Sequence, residues 1–153
     1  MSSRSDAIVD QLHRAYAGEA WHGPSLSEIL TGVTAPVASA KPISGAHSIW
    51  ELVLHISAWI IAARRRLVGD PAELSAEEDW PAITSHTEEA WRQTLAALER
   101  EHTALREAIR QLSDDQLRAK IPGADYSATF MLNGVIQHNL YHAGQIALLK
   151  KAL

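Results

Sequence analysis

The sequence predicts an all-α domain, a four-helix bundle, on three observations. Four segments repeat apolar residues at alternating four- and three-residue spacing, and no run of period-two alternation competes with them. The composition, 46% hydrophobic and 21% charged, is that of a soluble globule. A length of 153 residues matches one domain with one core, expected to span residues 1–153.

The first helix is expected over residues 5–20, with Ile8, Leu12 and Ala15 or Tyr16 on one side and Ser5 as N-cap. Trp21-His22-Gly23-Pro24 ends it, a short helical turn follows near Ser27, and a loop carries Pro36, Pro42 and Gly45. The second helix is expected over residues 47–68, with Ile49, Val53, Ile56, Ile60, Ala63 and Leu67 as a bundle seam. Arg64, Arg65 and Arg66 suit the negative end of its dipole, and Gly69-Asp70-Pro71 stops it. An acidic connection over residues 73–79 leads past Trp80-Pro81 to a third helix over residues 85–112. Its seam is Trp91, Leu95, Leu98, His102, Leu105, Ile109 and Leu112. Ser113-Asp114-Asp115 opens another short turn, Pro122-Gly123 marks a bend, and a fourth helix runs from Ser127 almost to Leu153.

Fourteen Lys and Arg against eighteen Asp and Glu leave a net charge of −4, without the basic footprint of a nucleic-acid binder. There is no cysteine, which excludes disulfides, thiolate metal sites and cysteine nucleophiles and fits a reducing compartment. The N-terminal residues lack the apolar core of a secretory signal, and the longest apolar stretch, residues 52–63, is too short to span a bilayer. A cytoplasmic location without membrane contact is expected.

The fourth helix carries the strongest chemical signal. Its seam reads Met131, Val135, His138, His142, Gln145 and Leu149, so three consecutive seam positions are polar. At about 100° per residue, His138 and His142 leave the helix about 40° apart and one turn from each other, which is metal-ligand spacing. A buried imidazole without a partner costs on the order of 1–3 kcal/mol, so these residues need hydrogen bonds or a metal. On the second helix His55 sits among Leu52, Val53, Leu54, Ile56 and Trp59, on the flank of the seam. From there it can meet His138 and His142 across the bundle, giving three neutral nitrogen donors with coordination positions left open.

The segments His47-Ser-Ile-Trp-Glu-Leu-Val-Leu-His55-Ile and His138-Asn-Leu-Tyr-His142-Ala-Gly-Gln-Ile146 resemble the DinB-like superfamily, which includes the YfiT-like metal-dependent hydrolases. The resemblance implies a bundle in up-down-down-up order, with zinc or nickel on His55, His138 and His142. It also implies hydrolase or thiol-dependent transferase chemistry on a small molecule, and it contributes to the expectation of a homodimer. The second helix, apolar over most of its circumference, points to a homodimer as well. Three neutral imidazoles leave a divalent cation its full charge, which favours an anion and acidifies a bound water or thiol. Without cysteine in the chain, the thiol would be a low-molecular-weight cosubstrate. The competing reading is a non-catalytic bundle in which the histidines serve structure or dimerisation.

Weaker candidates surround the triad. Glu51, one turn before His55, either orients that ring or acts as a base, or else is a solvated first-turn carboxylate. Gln145 either bonds an exchangeable ligand of the metal or caps another polar group in the core. His102 is either a fourth ligand or a core histidine. His47 and His22 line a pocket rim or serve capping and packing.

Overall fold

The computed structural model describes residues 3–153; Met1 and Ser2, which begin the segment read for a leader, lie outside them. Eight helices and no strand occur among the described residues: α1 Arg4–Tyr16, α2 Leu26–Leu30, α3 Ala35–Ser39, α4 Ile49–Leu67, α5 Ala76–Asp79, α6 Glu88–Arg110, α7 Asp114–Arg118 and α8 Ala128–Lys151. The four long ones form the bundle. Both α1 and α4 pack against α6 and α8, so α1 lies diagonally from α4 and α6 diagonally from α8. One apolar cluster joins all four, with Leu12, Ile56, Leu105 and Ile146 at or near zero exposure.

Side-chain caps explain where the helices begin. Ser48 accepts from the Glu51 amide while the Glu51 carboxylate takes the Ser48 amide, so α4 starts at Ile49 and leaves His47 outside the helix. α1 begins earlier than expected because Ser3, not Ser5, is the cap, paired with Asp6. It also ends earlier. At Gly18 a Cβ would stand 2.9 Å from the Arg14 Cα, so the chain doubles back where only glycine fits. At the end of α4, Gly69 takes φ 92°, a left-handed stop of the kind helices often use.

Two short helices fall where loops were expected. Pro36 does not break α3 but sits in its first turn, where a proline costs no hydrogen bond. α5 is opened by a reciprocal Ser75–Glu78 cap within the acidic connection. This connection crosses the outer side of α4, and the apolar circumference of that helix is covered within the chain by α3, α5, α6 and α8.

The core stripe of α8 also differs from the expected seam. Asn139 and Ile146 are buried at its centre, whereas His138 and Gln145 are half-buried on the flank. His138 and Gln145 thereby turn toward the side of the bundle occupied by the flank of α4. His102 is a core residue, 1% exposed, stacked on Tyr16 of α1 at 4.2 Å, and neither ring nitrogen has a hydrogen-bond partner. Burial first, then the charge of Arg106, pushes its pKa down to about 3.

This burial predicts an acid-sensitive fold. The unfolded chain takes a proton on His102 near its ordinary value of about 6.5, and the folded chain does not until about pH 3. The contribution is therefore fully present above pH 6.5 and is lost as pH falls, at up to about 1.4 kcal/mol per pH unit from this residue. His102→Phe keeps the stack on Tyr16 and removes the titrating group. Urea unfolding at pH 7 and pH 5 should show a smaller loss on acidification in the variant than in the wild type; equal losses would contradict the assignment.

Candidate metal centre

Three imidazoles meet between the flanks of α4 and α8. His138 Nε2 lies 3.0 Å from His55 Nε2 and 3.1 Å from His142 Nε2, and one donor atom of each residue falls within 4.8 Å of the others. The flank positions of His55 and His138 bring this about; that of His55 was expected, whereas His138 was expected on the seam itself. His55 and His142 are each 6% exposed and His138 is half-buried.

The opposite ring nitrogens decide the protonation pattern. His55 Nδ1 donates to the Asp79 backbone carbonyl at 2.7 Å, with the Asp79 Oδ1 at 3.1 Å. His142 Nδ1 donates to Gln145 Oε1 at 2.6 Å. Assigned from these partners, both rings carry their proton on Nδ1 and point an Nε2 lone pair inward. The His138 ring can then supply at most one N–H to two Nε2 contacts. With its proton on Nε2 it satisfies one contact and leaves the other acceptor without a donor, and with its proton on Nδ1 both contacts set lone pair against lone pair; a positive ion between the nitrogens relieves either case. Two nitrogens on one such ion, each about 2.0–2.1 Å from it, stand about 2.9–3.4 Å apart for angles from square to tetrahedral, which the two contacts of His138 match. Among the described residues these three histidines could hold a metal ion.

Burial disfavours the charged forms of His138 and His142. His138 is pushed down to about 4, by burial first and then by the neighbouring His142 and His55, and burial likewise lowers His142. Neutral imidazole is the coordinating form.

The surrounding wall is aromatic. Trp80 stacks on His55 at 3.9 Å, and His47 stacks on the other face of Trp80 at 3.6 Å. Trp59 Nε1 donates to Asp79 Oδ1 at 2.7 Å, holding the carboxylate that faces His55. Tyr141 meets the His142 ring edge-on at 5.0 Å.

Other candidates fall elsewhere. Glu51 accepts from Lys41 at 2.9 Å and from the Ser48 amide at 2.7 Å, with His47 Nδ1 at 3.4 Å. Burial raises its pKa, but Lys41 and the Ser48 amide outweigh burial and hold the carboxyl below its usual range. The carboxylate beside His55 is that of Asp79, and Glu51 connects to the centre through His47 and Trp80. Gln145 is at the centre as a partner of His142. His102 faces α1, and α6 lies diagonally from α8, which keeps it out of the histidine group. His22 is exposed and lines a groove with Ile136 and Leu140.

Sequence reasoning missed Asp79; it offered His47 for a pocket rim but not its stacking on Trp80. The Ser75-x-x-Glu78 cap signals that a helix begins just before Asp79. Nothing local signals that the segment folds back over α4.

No curated protein and no solved structure gave a significant match to this chain. The family model for the DinB superfamily matches residues 10–146, a span that holds all three histidines, the whole of α4 and most of α8. The chain belongs to the DinB superfamily.

Proposed function

We propose that this protein is a divalent-metal enzyme, a hydrolase or a transferase using a low-molecular-weight thiol, that acts on a small molecule at His55, His138 and His142. The observation that carries this reading is the convergence of three Nε2 atoms while partners hold the Nδ1 protons of His55 and His142 outward. Nitrogen-only ligation suits zinc or nickel. Bound there, such an ion would supply Lewis acidity at neutral pH. Asp79 orients His55, and Gln145 orients His142 with its amide NH2 left to meet a ligand or substrate. Trp59, Trp80 and Tyr141 keep water from the rings and strengthen the electrostatics inside. Glu51 supports His47 and Trp80 from outside. The cysteine-free sequence fits a cytoplasmic setting and requires that any thiol arrive as a diffusible cosubstrate.

The competing structural reading, in its metal-bound form, requires a centre closed by a fourth protein ligand. His102, the residue considered for that place, packs against α1 instead. Cobalt tests both readings. The protein should bind about one Co(II) per chain, and His138→Ala and His142→Ala should abolish that stoichiometry. Dithiothreitol should add a sulfur-to-cobalt charge-transfer band, altered in Gln145→Ala. Full metal content in the double variant would overturn the site, and a spectrum indifferent to every thiol and anion would overturn the enzyme.

The homodimer is part of the same proposal, with α8 as its surface. From Ala128 to Leu149 this helix carries no Asp, Glu, Lys or Arg, even on the solvent side where Phe130, Tyr141 and Leu148 are exposed. A second copy meets that stripe without like-charge repulsion, although each chain has a net charge of −4. Sedimentation should give about twice 16.8 kDa, and Phe130→Lys with Leu148→Lys should shift it toward the monomer. A 16.8 kDa wild-type species at micromolar concentration would refute the dimer.

A further inference from the structure

A second concavity lies on another side of α4, about 680 Å³ in volume. Its floor is α4 at Trp50, Leu54 and Ile61, its side is α6 at Thr94 and Ala97, and the connection over residues 74–85 walls it opposite. Taking about 100° per residue, the middle of this α4 face is roughly 110° from His55, so the space does not open on the histidines. The connection divides the two places: Glu77, Glu78 and Pro81 line the cavity, while Asp79 and Trp80 between them grip His55.

Its chemistry is neutral and mainly apolar. The charged residues that line it are Arg65, Glu77 and Glu78. Arg65 is paired with Asp70 at 2.7 Å, Glu78 caps α5 through the Ser75 amide, and Glu77 is exposed. One buried polar group is unspent. Ser57 lines the cavity, yet its hydroxyl is buried without a hydrogen-bond partner. With the oxygen turned into the wall and the rest of the residue bordering the space, rotation about χ1 delivers the hydroxyl to a guest at little cost. Thr94, by contrast, is satisfied, donating to the Ala90 carbonyl and accepting from Trp50 Nε1.

We propose that this cavity binds a neutral, largely apolar small molecule bearing one hydrogen-bonding group, at a site separate from the three histidines. The volume is within the range of small-molecule pockets, roughly 300–1,000 Å³. Trp50, 2% exposed and held by its bond to Thr94, gives the guest a fixed apolar surface.

The uncharged naphthalene ketone prodan is the probe. Titrated into the full chain, it should bind saturably at about one per chain with blue-shifted emission. Ser57→Ala should weaken binding about fivefold, the loss of one neutral hydrogen bond. Ala58→Phe should abolish binding by filling the space, and Ala97→Phe, half-buried on the α6 side, does the same if the first variant loses its helical circular dichroism. His138→Ala, which removes a proposed metal ligand, should bind prodan as the wild type does, so failure of the metal reading and failure of this one are distinguishable. Absent saturation, binding indifferent to Ser57→Ala or to both filling variants, or binding lost in His138→Ala would each overturn the proposal.

Discussion

The hydrogen bond from His55 Nδ1 to the Asp79 carbonyl is the constraint on which the centre depends. It fixes the proton of a buried ring on the outer nitrogen and so turns a lone pair toward α8. It also ties the connection between α4 and α6 to the middle of α4, which places Trp80 on the imidazole face. The Asp79 side chain joins the same arrangement by accepting from Trp59 Nε1, so backbone and carboxylate of one residue locate two rings. A backbone carbonyl cannot be removed by mutation, and its position depends on the Ser75–Glu78 cap that forms α5. The cap, the short helix and the tautomer of His55 are therefore one chain of cause.

Bundle geometry supplies the rest. Because α4 and α8 are neighbours, residues on their facing flanks meet, while the diagonal from α6 to α8 keeps His102 away. The two kinds of buried histidine illustrate the difference. His102 is neutral because burial and a nearby arginine forbid its charge, and it contributes stacking on Tyr16 without hydrogen bonds. His55 and His142 are buried with one nitrogen satisfied and the other aimed at a shared point. Similar burial thus yields a packing residue in one place and a donor set in the other.

The long helices were legible because an amphipathic stripe is a local property, and the triad was legible because His138 and His142 share one helix while His55 interrupts an apolar run. Helix starts were read within a few residues, the errors arising where Ser3 competed with Ser5 and where Ser48 excluded His47. Pro36 was misread because proline both ends helices and begins them. The expectation for Glu51 followed from spacing along α4, whereas its real partners, Lys41 and the Ser48 amide, depend on how the chain enters the helix. Asp79 was invisible as a site residue because its contact with His55 spans 24 positions and a reversal of the chain. The surplus apolar surface of α4 proved to be internal, and the face left without charge is on α8.

Tautomer assignment by nitrogen NMR reaches the central claim directly. In protein labelled with 15N at histidine, long-range proton–nitrogen spectra before and after one equivalent of zinc report which ring nitrogen of each residue carries its proton. The account predicts protonated Nδ1 on His55 and His142 in both states. It further predicts that on loading the Nε2 resonances of His55, His138 and His142 shift together and that of His102 does not. A proton on Nε2 of His55 or His142, or zinc that leaves the three Nε2 signals unmoved, would contradict it.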